Sequence, residues 1–598
     1  MKSRRQFLTR LPLGIFGALA AWKLRAQTPD RKNVPGAAPT FNSQPEAGPG
    51  VTDSTFAHAE KLAQVTMSEA QREQAASSWR TSMAGMLERR TGPNTIALEE
   101  GLAPATVWNP VLGSHQTGPG RDRFVPFTGD IGPLPAHDED IAYATVYQLG
   151  HWIRTRQLTS ERLTKIYIAR IKRFDPKLRC VITLLDEHAL KQARAADREI
   201  AAGKYRGPLH GIPWGAKDLL DTAGIRTTWG AEPYRNRVPK EDATVVRRLN
   251  DAGAVLLAKL SLGALALNDI WFGGQTMNPW VPGEGAGGSS AGPGSATAAG
   301  LVAFSIGSET QGSIIDPCMR CGVNGLRPTF GRVARTGAMT LCWTMDKLGP
   351  IARSVEDTML VLHAITGPDG KDVYSVPSHL DYDANGPVKG LTVGYFPKWM
   401  HEAPATDVDR ATLKAMGEMG MKLKPVSLPD WPFNSLNLLL FAEGAAAFEE
   451  LTLSGKDNEM TVQTSDAWPN LFRESRFLSA VDYVQADRLR RKYAEAMASL
   501  MSEVDLLMVP SMRGDMMVVS NMTGQPSLTL RTGFVDIAKA RSDWAPDSSH
   551  PLPRFDPPRR VPYGVTLIGR LFEEGVIGRV GLAMERRLKV MQERPSGY

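Results

Sequence analysis

From about Ile141 onward, the apolar positions of this chain alternate between helical and strand-like spacing. Leu163, Ile166, Tyr167 and Ile171 fall on one face of a helix that Thr159 or Ser160 can cap. After Gly207-Pro208 a strand-like stretch runs into Lys217, Ala243–Asn250 has a helical pattern, and the unbroken apolar run Ala254–Ala258 predicts a buried strand. Strand, helix, strand in that order predicts an α/β fold. Asn434–Met501 is mostly helical in pattern. Leu506–Pro510, Ser527–Leu530 and Val565–Ile568 predict further strands, and a last helix is expected over Gly575–Gln592. No internal repeat is visible.

The region before Ile141 reads differently. Gln27 to Gly50 is rich in Pro, Gly, Ala, Asn and Ser, as a flexible linker is. Asp53 to Arg90 is polar and Ala/Glu-rich and predicts one or two helices, and a Gly/Pro-rich passage follows to about Pro135. At the start, Arg4-Arg5 with Phe7-Leu8 precedes an apolar run from Leu11 to Trp22, too short to span a bilayer comfortably. This resembles a twin-arginine export signal. Cleavage is expected after Ala26 or near Ala18–Ala21. The expected organisation is an export signal over 1–26, a linker and helical extension over 27–135, and one catalytic domain over 136–598. The expected location is the periplasm or the outside of the cell, with no stable membrane insertion.

Composition narrows the function. Over 598 residues, 42% are hydrophobic and 22% charged, enough for a large core. The net charge of +7 is modest, and the basic residues are scattered, which argues against a nucleic-acid partner. Four cysteines are too few for a disulfide scaffold. Cys318 and Cys321 form a CxxC with no second pair at metal-site spacing, so packing cysteines are expected and no metal site. A Cys318–Cys321 or Cys321–Cys342 bridge is the alternative for an exported chain.

The densest chemistry lies between Gly283 and Gly331, where GEGAGGSSAGPGSATAAG is followed by LVAFSIG and SETQGSIIDPC. Glycine at this density lets the backbone turn tightly and lets amide N–H groups converge on a developing negative charge. A phosphate-binding loop would end in a lysine and a hydroxyl residue, and that ending is absent. A GxSxG match centres on Ser290. However, Pro282–Gly285 precedes it where a strand is needed, and no histidine among His363, His379, His401 and His550 has supporting context.

Gly287–Ser290 (GGSS) and Gly312-Ser313 resemble the two serine motifs of the amidase signature family, with Ser289 and Ser313 twenty-four residues apart. GPLHGIPWGAKDLLDTAGIRTT resembles its lysine motif. Gly273–Pro279, Cys321–Val333, Asn521–Leu530 and Tyr563–Phe572 match in the same order, so the resemblance covers roughly residues 136 to 598. It implies a large mixed central β-sheet flanked by helices on both faces and hydrolysis of carboxylic amide C–N bonds through an acyl-enzyme, releasing ammonia or an amine. The implied roles are Ser313 as nucleophile, Ser289 as proton bridge with a cis peptide bond, and Lys217 as base. Backbone N–H groups of Thr310, Gln311, Gly312 and Ser313 would form the oxyanion hole. No cofactor is implied. The physical demand is clear: a serine hydroxyl needs a neighbour to remove its proton, and a lysine serves only if burial keeps it neutral. Ile212, Pro213, Trp214 and Ala216 supply an apolar setting.

Four departures from the family pattern stand out. Glu309 takes the place of an aspartate and Gln311 that of a glycine. Ile315 stands where an arginine is usual, so the acid and its nearby arginine look altered together. Asp316 brings a carboxylate that would either meet a cationic substrate or pair with Arg320. Gly287, Gly288, Asp316 and Trp343 are the expected substrate contacts, with Met339 and the Asn434–Met460 helices as further walls. The expected partner is a small amide, and a homodimer is the one protein partner envisaged. Other readings on the same fold are a glutaminase-type component of an amidotransferase, an esterase or carbamate hydrolase, and a binding protein without catalysis.

Overall fold

The periodicities become, in the computed structural model, a mixed sheet of eleven strands. In sheet order these are Lys422–Pro425, Thr392–Tyr395, Leu506–Pro510, Arg554–Gly569, Ser527–Lys539, Asn324–Arg327, Lys347–Ala352, Phe304–Glu309, Pro213–Lys217, Val255–Leu260 and Val181–Leu184. The structure describes residues 46–63, 68–82, 108–112, 118–464, 466–476, 478–543 and 551–598. The expected export segment lies outside them, as do residues 83–107.

The described residues divide between Ala97 and Leu98 into two compact units. In the first, helices Asp53–Ala63 and Glu69–Ser82 are joined by the Arg72–Glu60 ion pair at 2.7 Å and by an edge-on contact of Phe56 with Trp79. The second unit carries the sheet. Residues 123–125, assigned from the sequence to the extension, form a short parallel strand pair here with Asp381–Asp383.

Three parallel strands set the chemistry. Pro213–Lys217 lies between Val255–Leu260 and Phe304–Glu309, and all three are buried along their whole length. That is why Val255–Leu260 reads as a nearly unbroken apolar run rather than an alternating one. The crossover helix to the second of them, Thr244–Asp251, follows Ala243, and the helix expected near Ser160 spans Ser160–Leu178 with Thr159 as its N-cap. In open sheets of this kind, loops beyond the carboxyl ends of parallel strands build the site. Here those ends are Lys217 and Glu309.

Elsewhere the pattern is met with longer elements. Strands Ser527–Lys539 and Arg554–Gly569 extend well past their apolar stretches, because their outer halves pair with each other and face solvent. The four cysteines are buried thiols with no bridge among them.

Candidate active site

Lys217 ends its strand fully buried, and among the described residues its side-chain nitrogen hydrogen-bonds only to hydroxyl and carbonyl oxygens. Nζ lies 2.9 Å from Ser289 Oγ, 3.0 Å from Ser290 Oγ, 2.9 Å from Ser308 Oγ and 3.5 Å from the Ser308 carbonyl. Burial pushes the amine well below the ordinary lysine range, and the more distant charges of Asp346 and Glu309 only partly offset this. A neutral amine can take a proton from a hydroxyl, so the arrangement has the form of a base with a serine beside it.

Ser289 and Ser290 lie where the glycine-rich loop enters helix Ala291–Ala298. The Gly288–Ser289 peptide bond is cis. Only glycine fits at 288, since a Cβ there would stand 1.7 Å from the Asn268 carbonyl oxygen. Gly288 N–H donates to Asp316 Oδ2 at 2.8 Å and to Asp543 Oδ2 at 3.1 Å, while Gly287 N–H reaches Asp269. Asp316 also pairs with Arg320 at 3.1 Å, and Asp543 pairs with the same guanidinium. Of the two roles open to Asp316, the geometry gives it the pairing with Arg320, together with a hold on the loop that carries Ser289. Burial raises its carboxyl well above the ordinary range, Arg320 opposes this, and Asp543 adds to it.

Ser313 sits in the turn between strand Phe304–Glu309 and helix Ile315–Cys321, and its carbonyl accepts from Ser290 N–H at 3.1 Å, which ties the two serine loops together. The Glu309 carboxylate holds this turn from below. Its Oε2 accepts from Ile314 N–H at 2.7 Å and Ile315 N–H at 3.0 Å, and its Oε1 accepts from Arg327 at 2.7 Å and Asn521 at 2.8 Å. Burial alone would raise this carboxyl, but Arg327 and Lys347 outweigh it and leave it below the ordinary range. The acid therefore keeps an arginine. The expectation that both partners change together gives way to a pairing with Arg327, from the Cys321–Val333 motif.

Breaking that pair leaves one charge buried and alone. Arg327→Met is expected to cost about 3–5 kcal/mol in urea unfolding at neutral pH. Because the folded carboxyl lies below its unfolded value, the Glu309 contribution is present above the ordinary glutamate range and lost as pH falls through the folded value. The difference between wild type and variant should therefore shrink in acid.

Among the described residues, no protein acceptor takes the N–H groups of Gln311, Gly312 or Ser313. Gly312 has φ +90° and touches Met517 so closely that a Cβ would lie 2.5 Å from its sulfur. Thr310 turns its hydroxyl away to Asp346 at 2.6 Å. Gly288, Gln311, Gly312 and Asp316 border a cavity of about 670 Å³ whose walls include Met319, Met512, Met517, Val535 and Tyr563. Trp343 is not on this wall, and neither are Met339 or the Asn434–Met460 helices. The Trp343 carbonyl accepts from Arg335, and its neighbours Cys342 and Thr344 bond Glu443, while Asp346 just beyond accepts from the Thr310 hydroxyl.

Sequence reasoning missed Ser308 and Asp543. Ser308 is an inward-facing residue of a buried strand, where every position is hidden and none stands out by pattern. Asp543 lies on the connection between two long strands, and only pairing of those strands brings it back to Gly288.

Comparison with known proteins adds to this geometry. The Amidase family model matches residues 162–577. The AmiD protein of Mycobacterium tuberculosis, a putative amidase by name, is 34% identical over 477 residues, covering 78% of this chain and 99% of that protein. A glutamyl-tRNA(Gln) amidotransferase subunit of Moorella thermoacetica is 32% identical over 508 residues, covering 76% and 99%. The crystal structure of native peptide amidase from Stenotrophomonas maltophilia superposes with a TM-score of 0.64 at 28% identity, covering 75% of this chain and 98% of that one.

Proposed function

The chain belongs to the amidase family and hydrolyses amide bonds, and we propose that it does so through an acyl-enzyme built on Ser313, Ser289 and Lys217. The observation that carries this reading is the fully buried Lys217 amine, 2.9 Å from Ser289 Oγ and held by burial well below the ordinary lysine range.

In the proposed cycle Lys217 takes a proton from Ser289 as Ser289 takes one from Ser313, and the Ser313 oxygen attacks the amide carbonyl. The unused N–H groups of Gln311, Gly312 and Ser313 receive the oxyanion. Collapse of the tetrahedral intermediate breaks the C–N bond, and the proton held by Lys217 returns through Ser289 to the leaving amine. Water then enters by the same relay, and the acid departs from Ser313. The apolar side of the neighbouring cavity, with Met512 and Met517, suits a flexible apolar acyl or amine group.

The test is a panel of aryl amides, fatty amides, C-terminal peptide amides, glutamine, esters and carbamates, with Ser313→Ala as blank. Amide turnover by the wild type alone, with an acyl adduct on the Ser313 peptide after acid quench, is expected. Turnover with no adduct under single-turnover conditions would overturn the acyl-enzyme. The Arg4-Arg5 segment supports a further reading, export to the periplasm, tested by fractionating cells that express wild type and an Arg4→Lys/Arg5→Lys variant. Retention of the variant in the cytoplasm is expected, and equal export of both would refute it.

A further inference from the structure

A cavity of about 540 Å³ shares no lining residue with the one at Gly288 and Gly312. Helix Ile315–Cys321 connects the two regions: it starts just past Ser313, and Cys321, Gly322 and Val323 at its other end form part of the second cavity. The C-terminal turn from Lys589 to Pro595 closes one side.

The charges around this cavity do not balance. Five cationic side chains line it, Arg353, Arg531, Arg586, Lys589 and Arg594, against the carboxyls of Glu585 and Glu593. Glu593 is already paired with Arg560 at 2.6 Å, and Arg594 with Asp140 at 2.8 Å. Glu585 accepts from Val355 N–H and Asn324, and burial pushes its carboxyl up to about 7. That leaves four cations with no ion pair among the described residues.

Two of the four are buried. Arg353 donates to the carbonyls of Tyr143, Ala144, Thr297 and Val302, and Arg531 to those of Val590 and Glu593. Carbonyls satisfy their donors without cancelling their charge. Neither guanidinium has a carboxylate in direct contact, Glu593 and Glu585 acting on Arg531 and Asp357 on Arg353 only across a distance, so two of them beside one cavity raise its positive potential. Arg531 is 4% exposed and Tyr143 8%, and Arg531 Nε and Tyr143 Oη each have no hydrogen-bond partner in the protein. Trp280, Val323 and Met591 give the same cavity an apolar side.

We propose that this cavity binds a small organic anion, its carboxylate or phosphate held by Arg586 and Lys589 in the field of Arg353 and Arg531, and its apolar body against Trp280 and Met591. Because Arg531 also ties down the carbonyls of Val590 and Glu593, a bound anion would hold the C-terminal turn more firmly and raise the unfolding temperature.

The experiment titrates the full chain with benzoate and, separately, with inorganic phosphate, against chloride at equal ionic strength, by calorimetry and thermal unfolding. Saturable binding of at least one anion with a higher Tm is expected. Arg586→Ala/Lys589→Ala, at two exposed positions, should weaken it by about tenfold or more, the effect of losing a charge-assisted hydrogen bond. Ser313→Ala should bind as the wild type does. Benzoate alone binding would identify a carboxylate with an apolar body, and phosphate alone a phosphorylated ligand. No saturable binding of either anion, equal affinity in the double variant, or loss of binding in Ser313→Ala would overturn the proposal. None of these outcomes depends on the assignment of the catalytic serine.

Discussion

Ser313→Ala is expected to lower kcat on the order of 10⁶-fold, the loss seen when other serine hydrolases give up their nucleophile. Stability should hardly move. Ser313 makes its structural bond through its backbone carbonyl, which alanine keeps, and its strand and helix are held by Glu309 rather than by its own hydroxyl. Thermal unfolding close to wild type together with a lost acyl adduct would separate lost chemistry from lost fold. If Ser313→Ala kept even a hundredth of the wild-type rate in a preparation free of wild-type protein, the nucleophile would have to be sought elsewhere.

Lys217→Met should lower kcat by about 10²–10⁴-fold, the range that a positioned proton acceptor contributes. Methionine roughly conserves the volume and removes the amine. The variant is also expected to be at least as stable as the wild type at neutral pH, since a buried amine costs desolvation that an apolar side chain does not. The pH dependence has a definite sign. The folded amine binds its proton less readily than the unfolded one, so wild-type stability relative to the variant rises with pH between the lowered folded value and the ordinary lysine range near 10.4. Activity should rise with pH as Lys217 loses its proton, and this acid limb should be absent from Lys217→Met. A second buried lysine, Lys347, is pushed down to about 7 and lies beside the Thr310 carbonyl. Lys347→Met must therefore retain the limb if Lys217 is its source.

Much of this was legible in the chain, and unevenly so. The parallel core strands announce themselves because burial on both faces demands unbroken apolar runs such as Ala254–Ala258. Helix Ser160–Leu178 announces itself through its cap and its periodic face. The serine and lysine motifs could be placed because glycine and hydroxyl residues at such density have few structural uses. What escaped depends on chain segments far apart in sequence. The Glu309–Arg327 pair needs two strands that are not neighbours in the sheet to bring their side chains to one buried point, and nothing local in either segment records the meeting. Asp543 reaches Gly288 across 255 residues. Trp343, expected among the substrate contacts, is absent from the wall of the cavity at Gly288 and Gly312, its segment being bonded to Glu443 and Arg335. A carboxylate such as Asp316 could be assigned a partner from helical spacing alone, since Arg320 stands four residues on.

Inactivation by a fluorophosphonate needs neither a known substrate nor a product assay, so its rate as a function of pH reads the nucleophile and its base directly. The wild type should label at Ser313 with a rate that climbs through an apparent pKa well below that of an ordinary lysine, while Lys217→Met labels slowly and without that climb. Equal rates and equal pH profiles in the two proteins would show that the amine at 217 does not arm the serine.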